Sequence, residues 1–416
     1  MNLKKTSVLN GFAVAIKMLI MLLINKILAV LGGPSLYGTV GQIQNVLMVF
    51  NTLGTGAMTT GVVKYCSGNE YQSNKVIHTS ILVSIICSII IALISLSFNE
   101  KLALYFLGDV KYSFIFTYLS LSVVFSSLNM TFLSILNGMK EIASYIKCSI
   151  LGNFLSLLMV LVLSYKLEFE GALIALVTYQ CFAFCITFYT VLKKDWFDCK
   201  LIGLKVDKDV LLSLGQYATM ALVTAIVVPM SLIMIRDFLS VKLGDESVGN
   251  WEAMWRLSKA YLSFFTLTLS VYFLPKFSSL ETFSGIRKEL FEGYKFIIPI
   301  SFFVLVLIYF FKTILVNLLF SAQFTMLHSL FKYHLIGDFF KILAFLISFV
   351  MLGKGLVKLY IITEVIFALS HYVFVRVFVD LAGFDGVSIA YMVNYLMYFV
   401  VLFYFVIYKK VDNYEC

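Results

Sequence analysis

Residues 11–61 read GFAVAIKMLIMLLINKILAVLGGPSLYGTVGQIQNVLMVFNTLGTGAMTTG. Two long apolar runs meet at Gly32, Gly33 and Pro34; the first carries Lys17 and Lys26, the second Gln42, Gln44, Asn45 and Asn51. An apolar run of about 20 residues with few charges has the length of a helix that crosses a bilayer. Glycine weakens a helix through its backbone entropy and proline removes a donor, so the Gly-Gly-Pro triplet predicts a break between two spans. An ammonium group at membrane depth costs roughly 2.5 kcal/mol or more unless it faces a partner or a wet cavity. The stretch therefore points to a membrane protein with a cationic interior, suited to an anionic ligand.

The rest of the chain agrees with that class. Of 416 residues, 61% are hydrophobic and 13% charged, and the mean hydropathy is +0.95. Those values exclude an ordinary soluble domain and predict an all-α, polytopic membrane protein. Met1 to Thr6 is short and basic, and the apolar run after it exceeds signal-peptide length without an A-x-A-like site, so the first helix is expected to stay as a span. Seven cysteines are scattered without a C-x-x-C spacing, which predicts neither a disulfide nor a zinc site. A net charge of +9 in a soluble protein would suggest nucleic acid; in this chain no nucleic-acid partner is expected, and the placement of the charge is what informs.

Apolar windows bounded by Gly, Pro, Asn or charge predict twelve spans near 9–31, 37–63, 77–98, 113–137, 145–165, 171–192, 211–237, 248–274, 293–311, 328–352, 356–379 and 387–408. An even number puts both termini on one face. With the termini in the cytoplasm, nineteen of the 32 lysines and arginines fall on the cytoplasmic side and five (Lys101, Lys111, Lys166, Lys242, Lys312) opposite. The positive-inside bias thus predicts cytoplasmic termini in a multi-pass membrane protein.

The chain also resembles itself. Phe169-Glu170-Gly171-Ala172-Leu173-Ile174-Ala175 recurs as Phe384-Asp385-Gly386-Val387-Ser388-Ile389-Ala390, and Leu31-Gly32 with Gly38 is echoed by Leu243-Gly244 with Gly249. Both pairs sit at matching places in a six-span unit. The reading is two homologous six-helix lobes, 1–196 and 210–416, joined by a cytoplasmic linker at 197–209, around a central cavity. Repeats with an even number of spans share one orientation and relate by an axis along the membrane normal, an arrangement that suits alternating access. Every connection is short, and no Walker A, G-x-S-x-G or H-E-x-x-H pattern occurs. No cofactor, no metal and no enzymatic activity are expected.

Eight basic residues lie at membrane depth: Lys17, Lys26, Arg236, Arg256, Lys259, Lys332, Lys341 and Arg376. Lys17 is about 14 Å into the first span, too deep to escape easily to the surface. Lys26 lies nearly opposite it on the helix, and both a cavity position and snorkelling toward Gly32-Gly33 stand open. Glu252, Arg256 and Lys259 share a helix face beside Trp251 and Trp255, which reads either as a substrate-facing set or as an interfacial belt. Arg236 is a site residue or the partner of its neighbour Asp237. His334, Asp338 and Lys341 share one face, and Glu364 and His371 another; these are either neutralised structural pairs or a protonatable, cation-binding cluster that couples transport to an ion gradient. Lys332 faces away from Lys341 and is expected to snorkel. Gln44 and Asn51 stripe the second span, as helix-to-helix hydrogen bonds or as contacts to sugar hydroxyls.

Several stretches together carry a family resemblance: Lys26-Ile27-Leu28-Ala29-Val30 before Gly32-Gly33-Pro34, Gly61-Val62-Val63-Lys64-Tyr65, Ser270-Val271-Tyr272-Phe273-Leu274-Pro275, Leu319-Phe320-Ser321-Ala322-Gln323-Phe324, Gly337-Asp338 and Tyr360-Ile361-Ile362-Thr363-Glu364-Val365. The chain resembles the O-antigen translocase family of polysaccharide flippases, within the multidrug/oligosaccharidyl-lipid/polysaccharide exporter superfamily, and most of all its lipid III branch in enterobacterial common antigen synthesis. The resemblance implies a twelve-helix inner-membrane protein that moves an undecaprenyl-diphosphate-linked oligosaccharide to the periplasmic leaflet. It also implies a cationic central cavity with Lys17, Lys26, Arg236, Asp338 and Glu364 at its matching positions. In that branch the stretch around Arg256 and Lys259 is less basic, which leaves the sugar open. A glycan polymerase and a chain-length regulator are the expected protein partners. The rival readings are a multidrug exporter of the same superfamily, which should favour acids in its cavity, and a membrane-embedded glycan polymerase, which should carry a large periplasmic loop.

Overall fold

A computed structural model describes the backbone of residues 3–67, 71–197, 207–280 and 282–407; side chains are described from residue 16 onward, except at a minority of positions between 216 and 279 and at 407. Most of the linker expected at 197–209 lies outside the described residues, as do Cys199, Cys416 and the terminal lysines Lys409 and Lys410. Among the described residues the chain is all-helical, with no strand. The helices are α1 (Leu3–Gly54), α2 (Thr59–Ser67), α3 (Ser73–Ser97), α4 (Asn99–Leu107), α5 (Ser113–Gly138), α6 (Ile142–Leu192), α7 (Lys208–Leu243), α8 (Asp245–Ser279), α9 (Phe283–Phe310), α10 (Lys312–Leu319), α11 (Leu327–Gly353), α12 (Val357–Ala382) and α13 (Asp385–Ile407), with a 3-10 turn at Val110–Tyr112. Nine stretches among the described residues are long and apolar enough to cross a membrane. The short helices α4 and α10 fall in connections that the apolar windows treat as loops.

The break foreseen in the opening stretch is real and local. Helix α1 is interrupted at Gly33, which sits at φ 58°, ψ −176°, and Pro34 follows at once. A residue with a side chain rarely adopts that φ, so the glycine defines the break. Helix α6 breaks at Leu167 and Glu168, the latter at φ 51°. There the turn is made possible by Gly171, where a Cβ would come within 2.1 Å of the Leu163 carbonyl oxygen. The second copy of the motif uses the same device. A Cβ on Gly386 would lie 2.0 Å from the Phe378 carbonyl oxygen, again eight residues back.

The described chain forms two compact units. The first comprises 1–31 and 39–229, the second 32–38 and 230–416, with one boundary at Pro229 inside α7. In the first unit α2, α3, α5 and α6 enclose an apolar core that includes Val76, Ile81, Phe132, Ile135 and Leu136, closed by Val210 and Leu214 at the start of α7. A neutral polar layer runs through this unit: Ser126 donates to Asn51 Oδ1 at 2.6 Å, Asn129 Nδ2 to Gln180 Oε1 at 2.7 Å, and Thr131 to Ser84 at 3.1 Å. Such bonds between spans substitute for water in an apolar medium.

In the second unit α11 is the central helix, packed against α8, α9 and α13, with α12 against α13. Residues 32–38 belong to this unit because two glycines allow a backbone approach: a Cβ on Gly249 would meet the Pro34 carbonyl oxygen at 1.6 Å, and one on Gly38 would meet Val248 Cγ1 at 2.6 Å. Tyr37 is fully buried there, edge-to-face with Phe320 at 5.9 Å and Phe324 at 5.5 Å.

Candidate functional site

The second unit buries charge in its interior, and each charged side chain is placed by a specific helix pairing. Glu252 of α8 accepts hydrogen bonds from Arg236 of α7, through Nε at 3.1 Å and also through Nη2, and from Arg256 Nε at 2.8 Å, one turn along its own helix. All three residues are no more than 3% exposed. The Arg236 guanidinium lies 5.2 Å over the Trp251 ring and that of Arg256 4.9 Å over Tyr37. Two guanidiniums around one carboxylate leave a net positive centre, and burial at this depth is tolerated only because the ions are paired and flanked by aromatic faces.

A second cluster follows along α8. The fully buried Asp338 of α11 accepts from Ser258 (2.7 and 2.9 Å), from Tyr261, and from Tyr391 of α13 (2.7 Å). Lys341, one turn on, donates to the Tyr391 hydroxyl at 3.3 Å, and its ammonium stands 5.2 Å from the Trp255 ring centroid and 4.5 Å from that of Tyr395. His334 stacks on Tyr391 with centroids 3.9 Å apart and planes within 6°. From α12, His371 stacks on Trp255 at 6.2 Å, and Glu364 accepts from Tyr398 at 3.0 Å. Four helices thus bring together two carboxylates, one ammonium, two imidazoles and several phenols. Arg236 Nη1, both ring nitrogens of His334 and Nε2 of His371 make no hydrogen bond within the described protein, so this interior retains polar capacity for a ligand, a proton or a cation.

The sequence-predicted residues divide by location. Arg236 and Arg256 come together on Glu252; Arg236 pairs across helices with Glu252 rather than leaving only its neighbour Asp237 to serve it. Trp251 is fully buried under Arg236 and is no belt residue. Lys259, three residues after Arg256, is exposed, as are Lys332 and Arg376. Asp338 and Lys341 join through Tyr391, with Glu364 and His371 on the neighbouring helix. In the first unit Lys17 is exposed, Lys26, Gln44 and Asn51 are half-buried, and Asn51 bonds Ser126. Sequence reasoning missed Tyr37, Ser258, Tyr261 and Tyr391. A tyrosine in an apolar span looks like any other aromatic, and only helix packing brings the Tyr261 and Tyr391 hydroxyls to a carboxylate. No group of three or more metal-ligating side chains occurs among the described residues.

The polysaccharide biosynthesis protein family matches residues 27–329 of the chain. The lipid III flippase of Escherichia coli (strain K12) is 26% identical over 403 residues, covering 96% of this chain and 97% of that protein. Among solved structures, an inward-facing multidrug resistance MATE family transporter of the MOP superfamily superposes with a TM-score of 0.79 at 15% identity, covering 96% of each chain. The lipid II flippase MurJ, in an inward closed conformation, superposes with a TM-score of 0.73 at 18% identity, covering 96% of this chain and 87% of that one. At such identities the structural likenesses establish the fold alone. The family match spans well over half of the sequence, and the chain belongs to the polysaccharide biosynthesis protein family.

Proposed function

We propose that the protein is a flippase that carries an undecaprenyl-diphosphate-linked oligosaccharide, an O-antigen repeat unit or the lipid III of enterobacterial common antigen, from the cytoplasmic to the periplasmic leaflet of the inner membrane by alternating access. The observation that carries this reading is the charge buried at membrane depth: Arg236, Glu252 and Arg256 form a net cationic centre, and Asp338 with Lys341 forms a second polar centre on the same helix array. Guanidinium and ammonium groups in a low-dielectric interior neutralise a diphosphate. Twelve spans result if α1 is divided at Gly33 and α6 at Glu168, and if α8 is counted as a span although its charged first half lowers its hydropathy. Both termini then face the cytoplasm.

In this reading Lys17, Lys26, Arg236, Arg256 and Lys259 supply positive potential along the path of the diphosphate, Gln44 and Asn51 face the glycan, and Asp338, Lys341, Glu364 and His371 bind the coupling proton or cation. The shared repeat device at Gly171 and Gly386 supports two six-span halves. A glycan polymerase and a chain-length regulator would receive the flipped product. No covalent step is assigned to this chain. The fold likeness to a multidrug transporter favours a second reading, export of cationic drugs; the basic interior weighs against it.

Deletion of the gene, complemented with wild type or with Lys17→Ala/Arg256→Ala, tests the proposal through the leaflet position of the lipid-linked glycan. Wild type should restore surface polymer, and the inserted double variant should leave glycan facing the cytoplasm. Glycan that reaches the periplasm without the protein would refute the flippase reading, and drug sensitivity with normal surface polymer would favour the exporter.

A further inference from the structure

On the second unit, α9 and α11 leave a groove of about 580 Å3 whose walls include Phe302, Val306 and Phe310 on one helix and Leu335, Phe339 and Phe340 on the other. Lys332 is the one charged residue among those lining it. Phe310 ends α9 and Lys332 lies five residues into α11, so the groove opens at the end of both helices where α10 connects them. Phe302 and Phe340 lie about 12 Å deeper along their helix axes, eight residues at about 1.5 Å each. A second lysine stands at the same mouth. Lys312 opens α10 with its ammonium 4.7 Å over the ring of Tyr309, a groove residue, and its charge is felt at His328, one turn before Lys332. Among the described residues neither lysine takes part in a salt bridge.

An apolar slot reaching into the hydrocarbon, with two cations and no carboxylate at its headgroup-level mouth, has the charge pattern of an anionic amphiphile. We propose that this groove holds an acyl chain of an anionic phospholipid, with the lipid phosphate between Lys312 and Lys332. The groove volume lies within the roughly 300–1,000 Å3 typical of ligand sites and suits one acyl chain better than the much longer tail of a polyprenyl carrier. Aromatic rings at the mouth are at home at headgroup depth, and basic side chains there attract anionic lipid. The bound lipid ties α9 to α11 and makes this face of the protein sensitive to the charge of its bilayer.

Native mass spectrometry of the full-length protein in detergent tests the site, with phosphatidylglycerol, phosphatidylcholine of the same acyl chains, and undecaprenyl phosphate as probes. Phosphatidylglycerol should be retained in preference to phosphatidylcholine. Lys312→Gln/Lys332→Gln, which removes both charges and leaves the apolar walls intact, should fold normally and lose that preference by about fivefold per lysine, the change expected from one basic residue near an anionic surface. Val306→Trp should fill the groove and abolish retention of phosphatidylglycerol. Equal retention of the two phospholipids, or a preference that survives the double glutamine variant, overturns the proposal. Displacement of phosphatidylglycerol by undecaprenyl phosphate at equal concentration also overturns it and gives the groove to the polyprenyl carrier.

Discussion

Asp338 and Lys341, one turn apart on α11, meet through a second helix, α13: the Tyr391 hydroxyl donates to Asp338 Oδ1 at 2.7 Å and accepts from Lys341 Nζ at 3.3 Å. The acid and the base are thereby linked without a direct salt bridge between them. The one hydroxyl ties both side chains to α13.

Tyr391→Phe keeps the ring stacked on His334 and removes only the bridging hydroxyl. It should cost about 1–3 kcal/mol, as expected for a buried polar partner withdrawn, and slow transport. Asp338→Asn should leave the protein folded and reduce transport at least tenfold. Thermal unfolding in detergent and a leaflet assay read the two effects separately, and normal transport by Asp338→Asn would remove this carboxylate from the mechanism.

Glu252→Gln leaves Arg236 and Arg256 buried beside each other without their common anion. Breaking a buried ion pair by removing one partner costs roughly 3–5 kcal/mol, so the variant should show a strongly lowered melting temperature or fail to insert. Unfolding at the wild-type temperature would mean that the two guanidiniums find another anion.

Gly171→Ala and Gly386→Ala each place a methyl group within 2.1 and 2.0 Å of a backbone carbonyl oxygen. Both should destabilise the protein by more than about 1 kcal/mol, because the obstacle is backbone and overpacking of this kind costs roughly 1–3 kcal/mol. Gly215→Ala meets nothing within 4 Å and should be neutral or slightly stabilising. Equal behaviour of the three variants would contradict the packing described.

Asp207, ahead of α7, pairs with Lys75 at 3.0 Å and accepts from the Val210 N–H at 3.2 Å; the lysine first, then the backbone donor, hold its carboxyl below the usual carboxylate range. A lowered folded-state value means that the stabilisation is present above the unfolded value of about 3.9 and is lost as pH falls through the folded one. Asp207→Asn should therefore lower the melting temperature at pH 7 and have no effect below both values, with a small amplitude because its partner Lys75 is exposed. A difference between the proteins that grew in acid would reverse the sign and reject the assignment.

The parts of this account that depend on one helix at a time were legible in the sequence. The Gly33-Pro34 break and the one-face spacing of His334, Asp338 and Lys341 follow from local chemistry and a period of 3.6 residues. What depends on packing between helices was not. Arg236 has an acid beside it in Asp237, yet its carboxylate partner Glu252 comes from the next helix; Arg256 and Lys259 share a face by spacing, yet one is buried and the other exposed. Ser258, Tyr261 and Tyr391 become ligands of Asp338 only after three helices pack, and no spacing rule within a single helix marks them.

Reconstitution of the purified protein into liposomes carrying an undecaprenyl-diphosphate-linked oligosaccharide in the inner leaflet tests the central claim most directly. The measurement is the rate at which the sugar becomes accessible to an impermeant oxidant outside. The account predicts rapid exposure that depends on the protein, is slowed by Lys17→Ala/Arg256→Ala, and leaves the oligosaccharide chemically unchanged. Exposure at the same rate in protein-free vesicles, or in vesicles carrying the double variant, would contradict it.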